Sequence, residues 1–218
     1  MDLSLATIVL WAVPVVFAIT LHEAAHGYIA MLFGDRTAYM LGRVTLNPLK
    51  HIDPVGTIAV PAFLIAVSVL TRAPLFIFGW AKPVPVNFDA LRNPKRDMFW
   101  VAGAGPTANF VMAVGWAILL KATLPESAFA SDGLLEMSEA GVQVNLMLMA
   151  LNLLPILPLD GGRIVVSLLP RTLANGYARL EPYGFMVVVA LLATGVLNIL
   201  MRPLLVAGQY AISALLGL

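Results

Sequence analysis

The sequence predicts an all-α polytopic membrane protein of about five to six transmembrane helices, with short strand-like and re-entrant segments. Two observations carry this. Of 218 residues, 60% are hydrophobic and 11% charged, where soluble domains are about a quarter charged; mean hydropathy is +0.90. The apolar residues also gather into runs long enough, as helices, to cross a bilayer.

The first run, residues 3–33, is a span with Pro14 as a candidate kink. It is too long for a signal peptide, and no small-residue cleavage site ends it. Residues 34–53 are polar, and the alternation over 39–46 suggests a short strand pair. Residues 54–81 are apolar but interrupted by Pro61, Arg72 and Pro74, and 82–97 are Pro-rich and basic, a loop or edge strand with a candidate strand at 83–88. A further run covers 98–120, an acidic loop is expected over 122–140, and a fourth run covers 141–157. A short apolar segment, 164–170, precedes closing runs at 183–201 and 203–218, the last short for a span. No repeat or appended soluble domain is evident, so residues 1–218 are expected to form a single membrane-embedded domain.

Lys and Arg concentrate in 36–50, 72–96 and 163–179. The positive-inside rule places those connections in the cytoplasm and 122–140 outside. A simple span at 54–81 would put 34–53 and 82–97 on opposite sides, so a re-entrant 54–81 is preferred. The net charge of +1 and the lack of a dense basic run give no sign of a nucleic-acid partner, and none is expected, while the absence of cysteine excludes disulfides and thiolate metal sites.

Within the first run lies TLHEAAHGY, residues 20–28. His22 and His26 are spaced i, i+4, so on a helix their rings project from one face and can share a zinc ion. Glu23, rotated about 100° from His22, is a poor ligand but can take a proton from a water the metal activates. Ionisable groups in a membrane helix cost several kcal/mol unless paired, and they are functional by default.

A third ligand is required. His51, the remaining histidine, sits among Pro48, Lys50 and Asp53 and reads as a solvated or interfacial loop residue. Asp160 is the better candidate, being the one acid in an otherwise apolar stretch from 141 to 159, flanked by Pro155, Pro158, Gly161 and Gly162. Irregular backbone at membrane depth is tolerated where it lines a cavity. The competing reading of Asp160 is a helix-ending acid paired with Arg163. Asn109 and Asn152 read as groups for a substrate backbone or an oxyanion, with helix-packing glue as the alternative. Asn145, two turns before Asn152, reads as packing. The candidate strands could add to an extended substrate.

HEAAH (22–26), GAGPTAN (103–109) and NLLPILPLDG (152–161) together resemble the site-2 protease family of intramembrane zinc metalloproteases. The resemblance reaches from Leu21 to Arg163 and is to the minimal branch, since no PDZ or CBS module fits. It implies one zinc ion per chain held by His22, His26 and Asp160, with Glu23 activating the water. It further implies a multi-pass protein of the cell membrane, with its site open to the cytoplasm. Its substrates would be membrane proteins cut in or near a transmembrane helix, as in regulated intramembrane proteolysis. A zinc-binding transporter or non-proteolytic scaffold is the alternative. Glu23 argues against it, because transport needs ligands but no base beside them.

Overall fold

A computed structural model describes residues 5–71, 79–123 and 131–217. Helix α1, Leu5–Leu32, has 28 residues and contains Pro14, which gives it a length of about 42 Å. After the single turn α2, Thr37–Met40, a π-helical turn, Pro54–Ala59, leads into α3, Val60–Thr71. Asp53 starts that turn by accepting from the Val55 and Gly56 amides. Helix α4, Pro94–Ala122, opens on a proline that lacks the amide a first turn cannot satisfy. Asp97 accepts from the Asn93 amide at the same end. There follow α5, Asp132–Asn152, α6, Asp160–Leu168, α7, Arg171–Ala178, α8, Glu181–Ala193, and α9, Val196–Leu216.

Among the described residues, three helices are long and apolar enough to cross a membrane: α1 over Val9–Leu32, α4 and α9. Shorter apolar helices are Pro54–Ser68 and α8. Helix α5 is as long as α9 but carries Asp132, Glu136 and Glu139 in its first turns. The chain is thus an all-α, multi-pass membrane protein.

Helix α4 is the axis of the bundle, packed on α1, α5 and α6. Its Ala113 and Ala117 meet Leu146 and Met149 of α5 and Ile212 of α9. Small residues bring the helices this close: a Cβ on Gly141 would collide with the Trp116 indole.

Several expectations are corrected. Among the described residues there is no strand: 37–40 is helical, 44–46 is a series of bends, and 83–88 forms no ladder. Pro83 and Pro85 hold the latter segment extended yet remove every second amide donor. Two of the amides that remain go elsewhere, Val84 to Glu23 and Asn87 to Asp35, as does that of the preceding Lys82, to the His51 carbonyl. The acidic stretch is not all loop, since α5 begins at Asp132; its residues 124–130 lie outside the described residues. The final pair of helices divides at Gly195, whose φ of 74° suits glycine alone, rather than between 201 and 203. Pro203 sits inside α9, where neighbouring helices and water can satisfy the freed carbonyl.

The insertion after residue 53 leaves and returns at one place. The Trp80 amide donates to the Gly56 carbonyl at 3.1 Å and the Lys82 amide to the His51 carbonyl at 2.9 Å. Arg43 Nη2 donates to the Lys82 carbonyl at 2.7 Å. A single crossing would separate these ends by a bilayer, so their meeting favours the re-entrant reading. Of the three breaks noted in the sequence, Pro61 lies within α3, and Arg72 and Pro74 lie outside the described residues. Single cysteines at Thr45 and Asn87 should therefore label from the same side of sealed vesicles. Labelling from opposite sides would make 54–81 an ordinary span.

Candidate metal centre

The site forms where the last third of α1 meets the start of α6. His22 and His26 stand one turn apart with ring centroids 4.7 Å apart, each 8% exposed. Asp160 faces both: its Oδ2 is 3.2 Å from His22 Nε2 and its Oδ1 is 3.3 Å from His26 Nε2. Among the described residues these form the one group of His, Cys or acid side chains close enough to hold a metal ion.

The local sequence explains how an acid from α6 reaches α1. Helix α5 ends at Asn152, and the prolines at 155 and 158 carry the chain out of helical geometry. Gly161 and Gly162 then let α6 start beneath that end; a Cβ on either would run into the backbone of residues 153–157. Gly184 of α8 closes the other side, bare against the Leu157 carbonyl. The Tyr177 hydroxyl donates to the Pro155 carbonyl at 2.6 Å, and burial raises its pKa, which keeps it a donor. Gly105 of α4 lies over the imidazoles, where any side chain would strike both rings.

The tautomers follow from fixed acceptors. A backbone carbonyl only accepts, so the 2.7 Å contact of His26 Nδ1 with Val101 O places a proton on Nδ1. His22 Nδ1 lies 2.6 Å from Asn109 Oδ1. The Asn109 amide nitrogen is itself pinned by the Ala18 carbonyl at 3.2 Å, so Oδ1 must accept and His22 Nδ1 must donate. With each Nδ1 committed, both rings turn Nε2, 3.0 Å apart, toward the Asp160 carboxylate. Asp160 Oδ2 is buried with no hydrogen-bond partner. Nitrogen and oxygen donors this close repel unless a proton or a metal cation lies among them. Two imidazoles and one carboxylate are a donor set that fits zinc.

Glu23 is half-buried beside this group, and its Oε2 accepts from the Val84 amide at 2.6 Å. Val84 is 7% exposed and packs on α1 at Gly27, where an added Cβ would press on Val84 and Val44. On the neighbouring face of α1, Leu21, Ala24, Ala25 and Tyr28 line an apolar cavity of about 350 Å3 with Val44, Leu46 and Ala108.

The remaining candidates fall out differently. Asn109 is 0% exposed, and its amide donates to Ala18 O and to Asn145 Oδ1 while its oxygen takes the His22 proton. Such saturation leaves it no free donor for a substrate, contrary to the expected contact. Asn152 is half-buried at the helix break and donates to the Leu148 carbonyl at 3.0 Å. His51 is not a solvated loop residue: it is 2% exposed, donates from Nε2 to the Thr45 carbonyl at 3.0 Å, and lies outside the metal group. Sequence reasoning missed the Val84 amide and the Val101 carbonyl, since backbone groups leave no residue-type signal. It also missed Gly105, although the match of GAGPTAN marked its neighbourhood.

A family model described as peptidase family M50 matches residues 121–195. YwhC of Bacillus subtilis, whose name assigns it to the zinc metalloproteases, is 39% identical over 204 residues, 92% of this chain and 87% of its own length. Rip2 of Mycolicibacterium smegmatis, also named for that class, is 33% identical over 83% of this chain, which covers 65% of the relative. No solved structure matches the chain. The chain belongs to peptidase family M50, the site-2 protease family of zinc metalloproteases.

Proposed function

We propose that this M50 peptidase, acting as one membrane-embedded domain over residues 1–218, hydrolyses peptide bonds in or near the transmembrane segments of membrane-protein substrates. One observation carries the reading: His22 and His26 stand within the bilayer-length part of α1, Val9–Leu32, beside an apolar cavity on the same helix. A site for water-soluble peptides would gain nothing from that placement.

His22, His26 and Asp160 would hold a zinc ion, which would supply an acidified water and a polarised scissile carbonyl there. Glu23 would accept a proton from the attacking water and deliver one to the leaving amine. The Val84 amide occupies Oε2 and leaves Oε1 for this traffic. Asn152, at the end of α5, is placed to hold the substrate backbone or the developing oxyanion. Asn109 instead holds His22. Along 83–88 the two prolines and the engaged Val84 and Asn87 amides leave an extended substrate few donors to pair with. The 44–46 segment is the better edge, because the Val44 and Leu46 backbone groups have no partner among the described residues and flank the cavity. The Lys/Arg asymmetry places the 34–53 and 82–97 connections, and with them the mouth of the site, on the cytoplasmic face.

The decisive experiment reconstitutes purified protein with a panel of single-span membrane substrates, with and without a zinc chelator. Cleavage within or beside the span, lost on chelation, supports the reading. A zinc-loaded protein that cuts none of the panel would favour a transporter or scaffold. The cavity gives a sharper check. Ala25→Phe should fill it and reduce cleavage about tenfold or more, with zinc content unchanged. An unaltered rate would remove the cavity from substrate binding.

A further inference from the structure

Asn145 lies on α5, 0% exposed, one residue removed from any group that meets the metal. We propose that Asn145 is a positioning residue for the zinc site, acting on His22 through Asn109. The proposal rests on His22 being a zinc ligand.

The geometry is a relay with a fixed sense. Asn145 Nδ2 donates to the Gly141 carbonyl at 2.8 Å, so its Oδ1 must face Asn109, where it accepts from Nδ2 at 3.0 Å. Asn109 Nδ2 also donates to the Ala18 carbonyl. Its Oδ1 is therefore turned to His22 Nδ1, which donates at 2.6 Å. The His22 proton is thereby held on Nδ1 and the lone pair on Nε2 aims at the metal position. Carbonyls at Ala18 and Gly141, on two different helices, set the orientation of both amides, and neither amide can flip without setting its oxygen against a carbonyl oxygen. In an interior without water such a mismatch is expensive, so the relay locks one tautomer of one ligand.

Ordinary helix glue predicts something else. An asparagine that only joined α4 to α5 would affect stability, not the ligand's tautomer. The unused half of the Asn145 amide would then be free to face any partner. Here both halves are committed, and they point in series toward the metal. Gly141 serves the same end, since the Trp116 contact that needs its bare Cα brings α4 and α5 to the spacing at which the two amides meet.

The test measures zinc affinity by chelator competition on purified, folded protein in detergent, alongside the thermal midpoint of the zinc-free form. Removing a group that orients a metal-bound histidine typically costs 10–100-fold in metal affinity or activity. Asn145→Leu should weaken zinc binding about 10-fold or more on that scale, and Asn109→Leu at least as much. The double variant should bind no more weakly than Asn109→Leu alone, because Asn145 reaches the metal only through Asn109. Asn145→Asp, which keeps an oxygen for Asn109, should recover most of the loss. Leu146→Ala, a neighbouring core truncation, should lower the midpoint while leaving affinity within about twofold. Should Asn145→Leu fail to accumulate, Asn145→Ala carries the same comparison.

Unchanged affinity in Asn145→Leu, or losses that simply add in the double variant, would overturn the relay. His22→Ala, run in parallel, separates the two levels. If it loses zinc while Asn145→Leu does not, the relay alone is wrong. Zinc retained by His22→Ala sinks the ligand assignment and the relay together.

Discussion

Protein carrying both His22→Ala and His26→Ala should purify without zinc and show no detectable cleavage. The expectation follows from the donor set. With both imidazoles gone, Asp160 is the sole remaining member of the group within reach, and one carboxylate does not hold a zinc ion against even weak competition. The fold should survive, because α1 is fixed by its packing on α4 and α5 rather than by the metal alone. Asp160→Ala should weaken zinc more mildly, since it leaves the imidazole pair. The measurements are metal content of the purified protein and cleavage of a reconstituted membrane substrate. Zinc retained in full by the double variant would sink the assignment.

These expectations were within reach of the sequence because each ligand stands where its surroundings forbid a casual charge. His22, Glu23 and His26 lie in an apolar run, and their i, i+4 spacing translates directly into one face of a helix. Asp160 is an acid between prolines and glycines in hydrocarbon. The structure adds why those particular neighbours are needed. Gly161 and Gly162 let α6 fold back under α5, and the prolines release the chain to do so. The parts that stayed hidden are those carried by backbone or by context. Alternation over 39–46 suggested a strand pair, and 83–88 read as a candidate edge strand, but there Pro83 and Pro85 remove donors a ladder needs. Asn145 reads as packing in the sequence, and the proposed relay turns on which atom of its amide faces which partner, which a residue letter does not reveal. Pro203 looked like a helix boundary, yet the chain turns at Gly195, where a positive φ is required.

Glu23→Gln should keep its zinc and its fold and lose cleavage by about 10²–10⁴-fold, the usual range for general acid–base catalysis. The substitution retains the size of the side chain and its carbonyl oxygen. The Val84 amide, which donates to Glu23 Oε2 at 2.6 Å, can therefore still be accepted, and the 82–86 segment should stay seated. What disappears is a proton acceptor for the attacking water and, later, a donor for the leaving amine. Neither His22 nor His26 can replace it, since their Nδ1 protons are committed to Asn109 and Val101 and their Nε2 atoms face the metal position. Zinc content then separates this variant from the histidine pair: both should be inactive, but only the histidine pair should be empty. Measured together, zinc stoichiometry and cleavage rate divide the roles cleanly. Cleavage by Glu23→Gln at the parent rate, still abolished by a chelator, would take Glu23 out of the mechanism while leaving the metal in it.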